Sequence, residues 1–316
     1  MKTVLAARAS AILYDLLLAH GGGGTFLLPA NICPIVPLTF FKAKVPFEFV
    51  DISPNTFHMN LEEAQRRITA NKEHFGGLLY VHTYGDPSTP NETFRAIKKG
   101  NPELLLIDDR CLCVPDVAPD PWSEADAILY STSYGKIVDM GWGGFAFLSD
   151  SLAYEHQRLP FQDQDLENIE SGYKRSIEAC SAYVYQESNW LQTDIEMPRW
   201  PRYSERVRNM AKLALLQSTN VNAIYNSLIP AELRLPAPYQ AWRYNIRVQD
   251  NQKILAAIFA GGLFASAHYA SLEGIFGAGT GEHATALAGQ VLNLFNDFHY
   301  TLDMAEKTAQ IILGSL

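Results

Sequence analysis

Two spacings of apolar residues alternate along the first 150 residues of the chain. Short uninterrupted apolar runs are typical of strands buried on both faces, and apolar residues three or four apart are typical of helices. The runs predict strands at 25–28, 47–51, 77–82, 104–108, 127–131 and 144–148, and the helical spacing predicts helices at 4–18, 34–44, 61–70 and 92–99. Strands separated by helices of this length predict an α/β domain with a mostly parallel sheet.

The pattern changes after residue 150. Residues 151–189 are polar and predict a helical region, and residues 205–227 predict a long amphipathic helix. A linker rich in proline, at 230, 236 and 238, comes next. Beyond it the pattern predicts strands at 242–248 and 291–295 and helices at 252–260 and 302–313. The sequence therefore predicts a large α/β domain over residues 1–200 and a smaller α+β domain over residues 201–316.

The composition is that of a folded globular protein. Apolar residues make up 47% of the chain and charged residues 19%, which excludes disorder. The formal net charge is −9 without a run of basic residues, so we expect no nucleic-acid or membrane partner. Four cysteines without paired spacing predict reduced thiols in a cytoplasmic protein, and no cluster of residues predicts a metal site.

Three segments bring polar groups to the ends of predicted elements, where open α/β sheets bind ligands. Asp108 and Asp109 end an apolar run, and residues 130–136 (YSTSYGK) place hydroxyl groups and one lysine after a strand, ahead of two glycines. Arg8, Ala9 and Ser10 offer backbone N–H groups to an anion if the first helix begins there. A helix N-cap or a loop salt bridge for the aspartates and a solvated surface position for the lysine are the alternative interpretations.

Five segments, in the same order along the chain, resemble motifs of the DegT/DnrJ/EryC1/StrS aminotransferases. The similar segments are 29–34 (PANICP) with 47–52 (FEFVDI), 81–85 (VHTYG), 107–109 (IDD), 131–136 with the glycines at 143 and 144, and 291–295 (VLNLF) with 301–303 (TLD). The resemblance implies a fold-type-I enzyme that depends on pyridoxal phosphate and forms a homodimer. It implies transfer of an amino group from an amino acid, with glutamate as the expected donor, to a nucleotide-linked keto sugar in sugar or polysaccharide biosynthesis.

The resemblance also implies two catalytic residues. Lys136 corresponds to the lysine that binds the cofactor covalently and then moves a proton between substrate and cofactor. Asp109 corresponds to the carboxylate that pairs with the pyridine nitrogen of the cofactor and keeps it protonated. Asp108 is expected on the opposite side of the strand, because side chains alternate.

Four residues correspond to phosphate contacts of the family. Ser131 matches the phosphate-binding serine, and Ser133 lies near enough to assist. Ala9 and Ser10 match the start of a helix whose N–H groups bind the same phosphate.

Two further cofactor positions depart from the family pattern. Cys33 lies where many members have an aromatic residue stacked on the ring, and Leu112 lies where members have the glutamine or histidine that contacts the phenolic oxygen. A middle motif of the family is not recognisable between residues 168 and 182, and the chain begins close to the phosphate-binding helix. These departures leave a shortened non-catalytic or regulatory homologue as an alternative. A pyridoxal-phosphate-dependent sugar dehydratase is a second one, which Lys136 disfavours because those members have histidine there.

Overall fold

Seven strands form one sheet in the computed structural model, which describes residues 1–316. The strands are β1 (Lys2–Ala6), β2 (Thr25–Pro29), β3 (Phe47–Val50), β4 (Phe75–Val81), β5 (Leu105–Asp109), β6 (Ala127–Ser131) and β7 (Gly144–Leu148). Their order across the sheet is β1-β7-β6-β5-β4-β2-β3. The pairs from β3 to β6 are parallel, and β7 and β1 continue the sheet antiparallel. The predicted mostly parallel sheet is confirmed.

Helices cover both faces of this sheet. One face carries α1 (Ala9–His20) and α2 (Ile35–Ala43), and the other carries α3 (Leu61–Ala70) and α4 (Asn91–Gly100). Each face has its own apolar cluster, because successive side chains of a strand point to opposite sides. This alternation decides which residues at the strand ends can act together.

A second, antiparallel sheet forms in the last third of the chain. It consists of β8 (Tyr244–Arg247), β10 (Val291–Leu294) and β9 (Ala265–Ser266), in the order β8-β10-β9. Around the two sheets lie α5 (Asp163–Glu178), α6 (Trp200–Leu228), α7 (Asn251–Ala260), α8 (Glu282–Ala288) and α9 (Leu302–Ser315). The predicted α+β part is confirmed.

The long helix α6 belongs to two apolar cores. Near its start, Tyr203 and Val207 pack in the cluster on the α3 face of the large sheet. Farther along, Val221 and Tyr225 pack in the cluster under the small sheet. The division at residue 200 therefore stays a prediction.

No helix combines the length and the apolar character needed to cross a membrane.

The prediction of one helix over residues 4–18 is wrong. Lys2–Ala6 is strand β1, paired antiparallel with β7, and the helix begins only at Ala9 after Arg8 in an extended conformation. The apolar residues at helical spacing occur mostly after Ser10, and the pairing partner of the first segment lies about 140 residues away along the chain. A local pattern does not reveal such a partner.

The prediction of helix over residues 151–189 is correct only for α5. Residues 181–199 beyond it form neither helix nor strand and pack against other segments: Tyr183 donates its backbone N–H to the carbonyl of Ile275, and Tyr185 stacks on Phe41. The short helix α8 has no counterpart among the elements that the sequence predicts.

Helix α3 begins where the sequence places a capping residue. The Asn60 side chain accepts a hydrogen bond from the backbone N–H of Glu63 at 3.1 Å, which satisfies a donor that the helix itself leaves free.

We expect Asn60→Ala to lower the free energy of unfolding by about 1 kcal/mol, since this cap is lost. Asn55→Ala is the matched control, because that exposed side chain forms no hydrogen bond. Urea denaturation measures both variants, and equal stability of the two would contradict the assignment.

Candidate functional site

Two adjacent carboxylates end strand β5 and point to opposite faces of the sheet. Asp109 follows Leu105 and Ile107 on the α1 face, and Asp108 lies on the α3 face. Both residues are buried. Burial of a carboxylate is costly without a partner, so the surroundings of each define its role.

Asp108 has charged partners on both oxygens. His82 donates from Nε2 to Oδ1 at 2.7 Å, and Arg110 donates from Nε to Oδ2 at 2.7 Å. Burial alone would favour the neutral acid, but these two cations outweigh it and lower the pKa of Asp108. Asp108 is therefore a structural anion.

The ring of His82 donates from both nitrogens. Its Nδ1 lies 2.6 Å from the carbonyl oxygen of Asp86, which can only accept, and its Nε2 faces the Asp108 carboxylate. A ring with two acceptors is an imidazolium. Burial opposes that charge, but Asp108 outweighs burial and raises the pKa of His82 well above its usual value.

Asp109 has no such partner. Its Oδ1 accepts a hydrogen bond from the backbone N–H of Cys111 at 2.9 Å, and it forms no ion pair. Burial raises the pKa of Asp109, and the Cys111 contacts and the positive charge of Lys136 only oppose that rise. A buried carboxylate left in this state is suited to a ligand that brings a cationic N–H donor.

Lys136 lies close to Asp109 although 27 positions separate them along the chain. Its amine forms no hydrogen bond or ion pair, while the neighbouring Gly135 N–H donates to Asp139 at 2.8 Å. The same ammonium group counteracts the rise that burial causes in the pKa of Cys33 and of Cys111. Lys136, Asp109 and Cys33 are thus brought together.

The start of helix α1 lies beside the end of strand β6. Ser131 is paired with Gly144 on the neighbouring strand β7, and a Cβ on Gly144 would overlap the backbone nitrogen of Ala9. Only glycine therefore lets the helix approach this closely. The first N–H groups of a helix have no partner within it, so Ala9 and Ser10 present free donors next to Ser131.

The hydroxyl groups of Ser131 and Ser133 lie 2.8 Å apart. Ser131 follows Leu129 on the α1 face, which is also the face of Asp109. The site thus has a cluster of donors suited to an anion on the same face as a buried carboxylate and a free amine.

The two departures from the family pattern are both apolar here. Leu112 is buried in the apolar cluster on the α1 face, and Cys33 is a free thiol at the edge of the same region. The roles of these residues, and of the other predicted cofactor contacts, stay predictions.

Three residues of the last third of the chain also reach this site. His268 is near enough to Lys136 that burial first, and then the charges of Arg243 and Lys136, lower its pKa to about 4. The ring of Tyr269 stacks on Trp242 at a centroid distance of 6.3 Å. The sequence gave no signal that Trp242 reaches this site, because no local pattern marks a contact across more than 100 residues.

A cavity of about 810 Å³ lies at the opposite end of the strands. It is lined by residues that precede β2, β4 and β5, among them Gly23, Lys72 and Asn101. None of the predicted site residues reaches it.

The fold is that of the pyridoxal-phosphate-dependent aminotransferases of fold type I, as the resemblance implied. The chain is similar to a DegT DnrJ EryC1 StrS aminotransferase from Brucella abortus, with a TM-score of 0.70 and 16% identity over 99% of this chain and 86% of that one. It is also similar to the sugar aminotransferase CalS13 from Micromonospora echinospora, with a TM-score of 0.69 and 16% identity over 99% and 87% of the two chains.

A third similar structure is that of an enzyme named for a different reaction, a dehydration. It is the GDP-4-keto-6-deoxy-D-mannose-3-dehydratase of E. coli with bound hydrated pyridoxal phosphate, with a TM-score of 0.65 and 14% identity over 98% and 88% of the two chains. No protein-family model and no curated protein sequence matches the chain. The expected fold class is therefore confirmed, and activity is argued below from the site.

We expect His82→Gln to lower the free energy of unfolding by about 3 kcal/mol, because a buried charge loses its partner. In the wild-type protein, the His82–Asp108 pair should contribute its full stability below about pH 6.5, where the unfolded histidine is also protonated. This contribution to the free energy of unfolding should be lost as pH rises through the raised pKa of folded His82.

Denaturant unfolding at several pH values measures this dependence, with the exposed His299→Gln as control. An unchanged alkaline slope in His82→Gln would contradict the imidazolium assignment.

Proposed function

We propose that this protein is a pyridoxal-phosphate-dependent aminotransferase whose catalytic residues are Lys136 and Asp109. The observation that carries the proposal is a buried carboxylate without a cationic partner that shares one face of the sheet with an unbonded amine. If Lys136 and Asp109 had only a structural role, we would expect them to form a salt bridge, as Asp108 does with Arg110.

The residues present fit the cofactor at its pyridine end. The raised pKa of Asp109 reflects a carboxylate that burial leaves without enough stabilisation. A protonated pyridine nitrogen would supply the missing cationic donor, and the carboxylate would in turn hold that proton on the nitrogen.

The fit at the phosphate end has a different chemical basis. Ser131 and Ser133 would donate hydroxyl groups, and the first N–H groups of α1, from Ala9 and Ser10, would meet the dianion at the positive end of the helix dipole. Gly144 permits this approach, since any side chain there would displace the helix start.

Between these ends, Cys33 and Leu112 would contact the cofactor with uncharged groups. Leu112 supplies no hydrogen bond to the phenolic oxygen, which is the feature that favours the non-catalytic alternative. His268, whose lowered pKa keeps it neutral, lies near Lys136 and offers a ring nitrogen in the same region.

Pyridoxal phosphate, when bound, supplies an aldehyde and an electron-withdrawing ring. Lys136 would bond to that aldehyde through its neutral amine and later carry a proton to and from the substrate carbon. Asp109 would keep the pyridine nitrogen charged while the proton moves.

The substrates follow from the similar structures rather than from a pocket of this chain. Two of those structures are described as sugar aminotransferases or members of their family, so we propose an amino-acid donor, with glutamate expected, and a keto sugar as acceptor. The dehydratase relative makes dehydration the alternative, which the half-reaction with glutamate separates.

We also propose a homodimer in the cytoplasm. Tyr134, two residues before Lys136, is 74% exposed, and Val184 is 77% exposed, so a partner subunit would cover apolar surface near the site. All four cysteines are free, which is typical of a reducing compartment.

We expect pyridoxal phosphate to form an adduct with the purified protein that borohydride reduces and that peptide mass spectrometry locates at Lys136. Lys136→Ala should lose it, and Lys174→Ala, an exposed helical lysine, should keep it. A wild-type protein without adduct, or an unchanged one in Lys136→Ala, would refute the proposal, and a glutamate half-reaction then tests transamination.

Asp109→Asn should separate stability from activity. At neutral pH the charged carboxylate opposes folding of the ligand-free protein, so the variant should be more stable by about 1 kcal/mol. It should bind the cofactor yet lose roughly a hundredfold or more in turnover.

Asp108→Asn is the matched control, and it should be less stable than wild type, because His82 and Arg110 lose their counter-ion. Thermal unfolding and steady-state assays measure these effects. Full turnover in Asp109→Asn would show that the wrong carboxylate was chosen.

A further inference from the structure

Trp242 connects the small sheet to the loop that carries Lys136. It lies two residues before strand β8, the first strand of that sheet, and it is 95% buried, with 5% of its surface exposed. Its indole Nε1–H donates a hydrogen bond to the carbonyl oxygen of Gly135 at 2.7 Å. That carbonyl belongs to the peptide group leading into Lys136.

Gly135 is held by hydrogen bonds and not by packing. Its φ of +71° lies in the left-handed region, and a Cβ placed on it would meet no atom within 4 Å. Its N–H donates to Asp139 of the same loop, and its carbonyl accepts from Trp242. Because glycine has wide conformational freedom, these two bonds fix the peptide planes on either side of it.

Two aromatic rings lie nearly parallel to the indole ring. The Tyr84 ring has a centroid distance of 6.4 Å and an interplanar angle of 4° to it, and the Tyr269 ring has 6.3 Å and 10°. The Tyr84 hydroxyl donates to the carbonyl of His268 at 2.8 Å, which ties the stack to the segment before Tyr269. The donor aimed at Gly135 therefore has little freedom to turn.

We propose that Trp242 is a positioning residue that orients Lys136 by holding the Gly135 carbonyl. The proposal rests on the proposed function, because it assigns the bond a role only if Lys136 reacts. A rotation of the 135–136 peptide would swing the Cα–Cβ direction of Lys136, and its amine lies at the end of four further bonds. The direction of attack on the cofactor aldehyde is sensitive to such a displacement.

No side chain or backbone group forms a hydrogen bond with the Lys136 amine itself. Lys136 forms no hydrogen bond or ion pair of its own, so the backbone that carries it determines where it can reach. Trp242 belongs to the segment that leads into β8 of the small sheet, and Lys136 belongs to the loop after β6 of the large sheet. A residue next to one sheet therefore orients the lysine next to the other.

The test compares Trp242→Phe with Trp190→Phe. Phenylalanine at 242 keeps an aromatic ring in the stack and removes the N–H donor. Trp190 is 1% exposed and donates from Nε1 to the Tyr185 hydroxyl at 3.0 Å, so its replacement removes a buried indole bond far from Lys136 in sequence and without contact to Gly135.

Two readouts separate orientation from general destabilisation. The first is the rate of the borohydride-trapped adduct at saturating pyridoxal phosphate. The second is the circular dichroism of the bound cofactor in the visible region, which reports how the ring is held. We expect Trp242→Phe to slow adduct formation about tenfold and to change the dichroism. Trp190→Phe should leave both unchanged.

The outcomes distinguish this inference from the proposed function. No adduct in the wild-type protein refutes the proposed function and with it the role of Trp242. A wild-type adduct with an unaltered rate and dichroism in Trp242→Phe refutes the positioning role alone. Equal slowing in Trp242→Phe and Trp190→Phe also refutes it, because the effect would then be one of stability.

Discussion

The arrangement of the site depends on the alternation of side chains at the end of one buried strand. Consecutive carboxylates on β5 must face opposite sides of the sheet, and burial makes each of them costly unless it is neutralised. On one side the chain supplies a histidine and an arginine, and on the other only a backbone N–H and a nearby amine that forms no ion pair with the carboxylate. The fold thus contains an internally compensated anion and an uncompensated one a single residue apart.

This asymmetry gives the two aspartates different surroundings on one strand. The Asp108 network ties the end of β5 to the turn after β4, through His82 and the carbonyl of Asp86. The strand end is therefore held on the side that faces away from the proposed cofactor. A rigid support of this kind lets Asp109 remain buried and unpaired without local collapse.

The sequence predicted the sheet best where strands are buried on both faces. The ranges 127–131 and 144–148 agree with β6 and β7 residue for residue, because every position in them is apolar or small and each range is flanked by polar residues or glycine. The first strand was missed, because its pairing with β7 is remote in sequence. The same limit applies to the site. Lys136 and Asp109 could be singled out as candidate site residues because they lie in recognisable motifs, but no local pattern in the sequence predicts the contact of Trp242 with Gly135.

The thiols of Cys33 and Cys111, near Lys136, affect which groups an incoming aldehyde can react with. Burial raises the pKa values of Cys33 and Cys111, so both remain protonated at neutral pH. Sulfur attacks carbonyl carbon and electrophilic reagents as the anion, and a protonated thiol is a poor competitor. An aldehyde arriving in this part of the molecule therefore meets little thiolate, so the two sulfur atoms compete weakly with the reaction proposed for the Lys136 nitrogen.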